Sequence, residues 1–198
     1  MKDYLKRAEF YKESNSVVKN YLKKDLNGEP FDKFCTILTM ASGPIRGTAI
    51  EKWFEDNYSL IKKVSSTEGR GDLTNGKVYI ELKARFISNK EIKKGKAHSA
   101  GQIRLWENID SYLFITVNID TYEYYIFYIP KLEYKKLVLD RTVRFSSSHI
   151  KGNSQLLRDK PEMVNELEIS SELNYNDYDW NKYRVSLKEL HTKLNVKS

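Results

Sequence analysis

An α/β fold with a mixed central β-sheet flanked by helices is what this sequence predicts, with helices at the N-terminus and one more at the C-terminus. Three observations lead there. Apolar residues recur at helical spacing up to about residue 58. From Leu60 the period becomes the alternation of strands. The order of helices, hairpin, helix, strands and helix then interleaves the two kinds of element, as α/β folds do.

Residues 2–26 carry Tyr4, Leu5, Ala8 and Tyr11, then Val17, Val18, Tyr21 and Leu22, with the polar stretch "ESNS" expected to divide them into two helices. "NGEP" (27–30) is a turn, and Pro30 suits the start of a helix whose apolar face is Phe31, Phe34, Ile37, Leu38 and Ala41. The next helix begins near Pro44, runs to about Tyr58 and buries Ile50, Trp53, Phe54 and Tyr58. "LIKKVSS" reads as a first strand and "KVYIELKARF" (77–86) as a clearer second, with Asn75-Gly76 as a hairpin signal between them. A basic loop and a short helix from about Ser99 to Asn108 follow. "SYLFITVNI" (111–119) and "YEYYIFYIP" (122–130) are strands joined at Asp120-Thr121, and the first is apolar on both faces, as a central strand is. Residues 141–160 read as loop and 181–194 as a closing helix. The whole is one domain, with an N-terminal helical part (1–43), a core (44–130) and a C-terminal part (131–198) for recognition or dimerisation.

A chain of 198 residues can bury about 70% of its unfolded surface, enough for a real core. No run of about 18 apolar residues suggests a membrane span, and the charged start "MKDYLKRAEFYKE" is not a signal peptide. The one cysteine, Cys35, leaves no intramolecular disulfide and no cysteine zinc cage, which fits burial in a reducing cytoplasm. The net charge of +7 favours a polyanionic partner, nucleic acid above all, although a soluble basic protein without one has the same balance. "NKEIKKGKAH" (89–98) is the densest basic run. There is no Walker-type glycine loop, so no nucleotide cofactor is expected. His98, His149 and His191 are dispersed and lack metal-ligand spacing.

The chemistry concentrates in "GRGDLTNGKVYIELKARF" (69–86). Strand alternation puts Val78, Ile80, Leu82 and Ala84 on the core face and Tyr79, Glu81, Lys83 and Arg85 on the other. Asp72 lies across the hairpin and can meet Glu81. Two converging carboxylates repel, favour a divalent cation, and suit Mg²⁺ or Mn²⁺ with their hard oxygens. The plainer alternative makes Glu81 and Lys83 the solvent face of an amphipathic strand and Asp72 a turn residue; on either reading Lys83 is expected to be an exposed strand lysine that contributes little stability.

Asp72 followed by Glu81-Leu82-Lys83 resembles the signature of the PD-(D/E)XK nucleases, a family that includes type II restriction endonucleases, Holliday-junction resolvases and RecB-like nucleases. The match spans residues 44–130, and Gly71 stands where the family often has proline. The resemblance implies a restriction-endonuclease-like fold and a Mg²⁺-dependent endonuclease of double-stranded DNA, with Mn²⁺ as a substitute. Asp72 and Glu81 would hold the metal, and Lys83 would orient the attacking water. Family members often add a glutamate from the preceding helix, here Glu51, although Thr48-x-x-Glu51 also reads as a capping box. Gln102 and Trp106, one turn apart on the expected helix, nearly match a Gln-x-x-x-Tyr pattern of RecB-like members. Arg70, Lys77, Arg85, Lys96 and Gln102 would contact DNA, with His149, Lys151 and Asn153 from the polar loop "SSSHIKGNSQ". The role implied is a homodimeric restriction endonuclease. A junction resolvase, or a non-catalytic DNA-binding protein with a nuclease-like core, remains an alternative.

Overall fold

The computed structural model describes residues 2–65, 71–93, 98–104, 108–139, 144–146, 168–173 and 182–194. The first helix, α1 (Lys2–Tyr21), is continuous through "ESNS" and corrects the expected break. The polar residues there are used rather than disruptive. Ser14 Oγ donates back to the Phe10 carbonyl at 2.7 Å, and Asn15 Oδ1 accepts the Ser42 N–H at 2.9 Å. Asn15 thereby satisfies a backbone donor at the start of another helix.

That helix is α3 (Gly43–Asn57), which follows α2 (Phe31–Leu38), and both lie where the spacing of apolar residues puts them. Together with α1 they cover one face of an open six-stranded sheet. Its order is β1 (Lys62–Lys63), β2 (Leu73–Thr74), β3 (Tyr79–Ile87), β5 (Ser111–Asn118), β6 (Tyr124–Pro130) and β9 (Arg184–Val185). β3 and β5 run parallel and every other neighbouring pair is antiparallel, so the sheet is mixed. β5 is buried along its whole length, as its two-sided apolar pattern requires. The hairpin turn at Asn75-Gly76 joins β2 to β3, with Gly76 at φ +85°, so the strand that pairs with β3 is the short β2 rather than "LIKKVSS".

Phe31, Phe34, Trp53 and Phe54 pack with Leu73, Ile80, Leu82, Leu113 and Ile115 in the main core. Trp53 is its hinge: the ring lies 4.6 Å from Phe31 edge-on, and Nε1–H donates to the Glu29 carbonyl at 2.9 Å. Cys35 is buried in the same core, which pushes its thiol pKa up. The opposite face is covered by α5 (Lys131–Leu139), where buried Tyr134 stacks 4.6 Å from Tyr112 and 5.6 Å from Phe114.

Three further expectations are corrected. The segment from Ser99 is not a helix but part of strand β4 (His98–Arg104), which pairs with β8 (Glu168–Leu173) and, through it, with β7 (Arg144–Ser146) in a second, three-stranded sheet. The partner strand lies some seventy residues away in sequence, and Gly101, at the irregularity in that pairing, disfavours a helix. The helix expected over 181–194 starts only at Leu187, because Arg184 and Val185 pair with β6; it is α6 (Leu187–Leu194). The expected loop after β3 opens with a short helix, α4 (Asn89–Lys93). Both helices begin at the same device, a serine and a glutamate three residues on. Glu189 accepts the Ser186 N–H at 2.7 Å, and Glu91 accepts the Ser88 N–H at 3.0 Å. "SLKE" and "SNKE" are readable signatures of those starts. Among the described residues no helix is long and apolar enough to cross a membrane.

Replacing Trp53 with Ala removes the ring that joins α2 to α3 and should cost about 3–5 kcal/mol. In a chain of this size that lowers the melting temperature by about 10 °C, read by circular dichroism. A loss under about 1 kcal/mol would show that the aromatic cluster does not hold these helices.

Candidate functional site

β3 carries the site because it is the innermost strand of the hairpin and pairs with both neighbours. On its outer edge β2 supplies only Leu73 and Thr74 before the chain turns away. Gly71 makes that turn. Its φ is +88°, and a Cβ there would stand 2.8 Å from the Ile80 carbonyl oxygen. Side chains rarely adopt such a φ, and proline, locked near −65°, cannot. Glycine at the position before Asp72 is therefore required by the backbone of this hairpin.

Asp72 then takes over the ladder where β2 ends. Its N–H donates to the Ile80 carbonyl at 2.9 Å, and its carboxylate Oδ2 accepts the Leu82 N–H at 2.8 Å. These two backbone groups flank Glu81, so Asp72 is bound to the strand immediately on either side of it. On the inner edge Asp110 acts similarly. Its carboxylate accepts the Tyr79 N–H at 2.7 Å while its own N–H donates to the Tyr79 carbonyl at 2.8 Å.

Glu81 has no exposed surface. This overturns the reading of its strand face as solvent-facing. The expected alternation holds, with Ile80 and Leu82 buried on the core side, but on the second face Glu81 is fully buried while Tyr79, Lys83 and Arg85 stay partly exposed. The parallel register sets Glu81 beside Tyr112, itself fully buried. Burial, then the neighbouring Tyr134 and Glu81, pushes the Tyr112 phenol well above its ordinary pKa, so it stays protonated. Lys83 Nζ lies 2.6 Å from Glu81 Oε1, with its side chain 21% exposed. Lys83 is thus no loose surface lysine: it balances a buried carboxylate and reaches from it towards solvent.

Glu51 lies mid-helix, since α3 starts at Gly43 with Ser42 as its N-cap; Thr48 Oγ donates to the Pro44 carbonyl instead, so the capping-box reading fails. The Glu51 carboxylate pairs with Lys63 Nζ of β1 at 2.8 Å, and one turn on Glu55 accepts the Lys63 N–H at 3.3 Å. The three carboxylates are therefore engaged separately: Glu81 by Lys83, Asp72 by a backbone amide, Glu51 by Lys63. Among the described residues no three His, Cys, Asp or Glu side chains gather as a metal-holding group.

Of the residues expected to contact DNA, Lys77 is exposed at the hairpin turn. Arg85 follows Lys83 on the same strand face and lies 3.4 Å from Glu91. The Ser88 N–H, then Arg85, holds the Glu91 carboxyl below the usual range. Gln102 is on strand β4 rather than on the expected helix. Arg70, Lys96, Trp106, His149, Lys151 and Asn153 lie outside the described residues.

Sequence reasoning misses Lys63, Asp110, Tyr112 and Tyr134. Only Asp110, set just before an apolar strand, leaves a local trace. No protein-family model matches this chain, and no curated protein matches it.

Replacing Lys83 with Met leaves the buried Glu81 charge without its ammonium and should cost about 3 kcal/mol. Changing both residues, Glu81→Leu with Lys83→Met, removes the buried ions and should return stability to within about 1 kcal/mol of the parent. Urea unfolding at pH 7 measures both. If the single change is neutral, Lys83 does not hold Glu81 in solution.

Proposed function

We propose that this chain is a Mg²⁺-dependent endonuclease that hydrolyses phosphodiester bonds of double-stranded DNA, acting as a homodimeric, sequence-specific type II restriction endonuclease on a restriction-endonuclease-like sheet. One observation carries the reading: a fully buried carboxylate, Glu81, paired at 2.6 Å with Lys83, beside an aspartate whose position depends on a turn that only glycine makes. Burying a carboxylate costs several kcal/mol that apolar residues would not, and such costs cluster at functional sites. An aliphatic residue at position 81 would serve the core better, so the acid argues for chemistry.

The donor set suits the cation in kind. Asp72 and Glu81 offer hard carboxylate oxygens at one point of β3, and Glu51, now paired with Lys63, would be the third. Mn²⁺ meets the same ligands. Such an ion, when bound, polarises a phosphoryl oxygen and lowers the pKa of water. Lys83, partly exposed at the mouth of the pair, would orient the attacking water and stabilise charge that develops on the phosphate. The net charge of +7 supports phosphate contacts, which position the enzyme without reading sequence.

Digestion of a long, sequenced DNA is the direct test. Discrete fragments are expected with Mg²⁺ and none with EDTA; a smear, or cutting that EDTA does not stop, would sink the proposal.

Asp72→Asn should separate binding from cutting. The amide oxygen can still accept the Leu82 N–H, so the hairpin should stay formed. One negative charge fewer should leave DNA binding in EDTA at least as tight, read by gel shift. Cleavage in Mg²⁺ should fall about a thousandfold, because an amide is a poor ligand for a hard cation. Cutting within tenfold of the parent would remove Asp72 from the site.

A further inference from the structure

An open cleft lies at the other end of β5. Six residues separate Tyr112, beside Glu81, from Asn118, a run of about 20 Å. There α2, the β5–β6 turn and β9 enclose an open cleft of about 810 Å³. Its walls are tied together by Phe31 of α2, edge-on to Tyr124 of β6 at 5.0 Å. The cleft presents Tyr122, Tyr125 and Arg184 with Asp32, Lys33 and Glu123.

Tyr122 is the informative residue. Its φ is +62°, the only positive value among described residues other than glycine. Its N–H donates to the Asn118 carbonyl at 2.8 Å, closing a turn in which glycine or asparagine is the ordinary occupant. A bulky ring is strained there, yet the chain keeps one, and keeps it 45% exposed over the cleft. Strain retained on an exposed aromatic is a mark of binding. Next to it the Arg184 guanidinium lies over the Tyr125 ring at 4.7 Å, which holds its donors in a fixed plane.

The cleft therefore combines an aromatic platform, the cations Arg184 and Lys33, the latter paired with Glu29 at 2.8 Å, and two carboxylates. Bases stack on aromatic faces, phosphates take arginine and lysine, and carboxylates accept the amino hydrogens of base edges. We propose that this cleft holds an unpaired base of a single-stranded nucleic acid, stacked on Tyr122. Arg184 and Lys33 meet the flanking phosphates, and Asp32 and Glu123 accept from the base amino group. A chain of net charge +7 suits such a ligand better than an apolar peptide. The site is distinct from Glu81 and does not depend on the nuclease reading.

The test is fluorescence anisotropy of the full chain in EDTA with a labelled oligodeoxycytidine of about ten nucleotides, and with a duplex of equal length. The parent should bind the single strand. Tyr122→Gly relieves the backbone, so its melting temperature should equal or exceed the parent's, while single-strand affinity falls about tenfold and duplex affinity does not change. Tyr122→Phe should bind as the parent does, and Arg184→Ala should bind more weakly. A parent that does not bind the oligonucleotide overturns the proposal. So does a Tyr122→Gly variant that binds within twofold of the parent, a Phe variant as weak as Gly, or an equal loss on duplex. Cleavage of duplex in Mg²⁺ is scored separately, so failure here and failure of the nuclease reading are distinguishable.

Discussion

The arrangement around β3 follows from the need to keep a carboxylate inside the protein. Glu81 has no exposed surface, and the strand that carries it is held on both edges. An isolated buried charge would be intolerable, and the structure answers with Lys83 two residues on, whose ammonium reaches Glu81 from the side that meets solvent. Two residues along a strand is the shortest spacing that returns to the same face, so the pair needs no distant partner and moves as one unit with β3. Tyr112, beside Glu81 in the parallel register and packed in turn on Phe114 and Tyr134, adds to the burial of the carboxylate end of the pair, which strengthens the attraction.

The edges of β3 show the same economy. A full-length partner strand would satisfy the backbone around Glu81 but leave no room for a second acid in the plane of the sheet. Stopping β2 after two residues, and turning at Gly71, lets Asp72 donate and accept on either side of Glu81 in the place of the missing strand. On the inner edge Asp110 ties the start of β3 to that of β5. Two aspartates thus fix the strand's position where its acid must be held. Lys63 links the sheet edge to α3 through Glu51, so the helix, hairpin and strand that carry the three acids are joined by ion pairs and backbone bonds as well as by the core.

Much of this architecture is legible in sequence because it is periodic. The alternation of 77–86 gives the two faces of β3, the two-sided apolar run gives a central β5, and Pro30 and the apolar stripe of α3 give two helices. The failures have a common cause. "ESNS" reads as a break only if Asn15 has nothing to bind, and its partner is the Ser42 amide, 27 residues away. The segment from Ser99 reads as a helix because strand β8, which claims it, lies far along the chain. The C-terminal helix reads too long because β6 captures Arg184 and Val185. Local pattern specifies an element's preference, and distant pairing decides between preferences of similar strength.

The candidate site divides along the same line. Which face Glu81 and Lys83 share is a matter of period and can be read. That Glu81 is buried is not, because its neighbour Tyr112 comes from β5, some thirty residues later, and packs in turn on Tyr134 of α5. An acid and a lysine two apart on an exposed strand are common and carry little meaning. The same pair with its acid fully buried opposes the hydrophobic drive that formed the sheet, and apolar residues would serve stability better. Tyr122 poses the same argument in backbone terms, since glycine would relieve its strain at once. In both places the residue present is worse for the fold than an obvious substitute, and that deficit, rather than any motif, is the physical ground on which the two proposals rest.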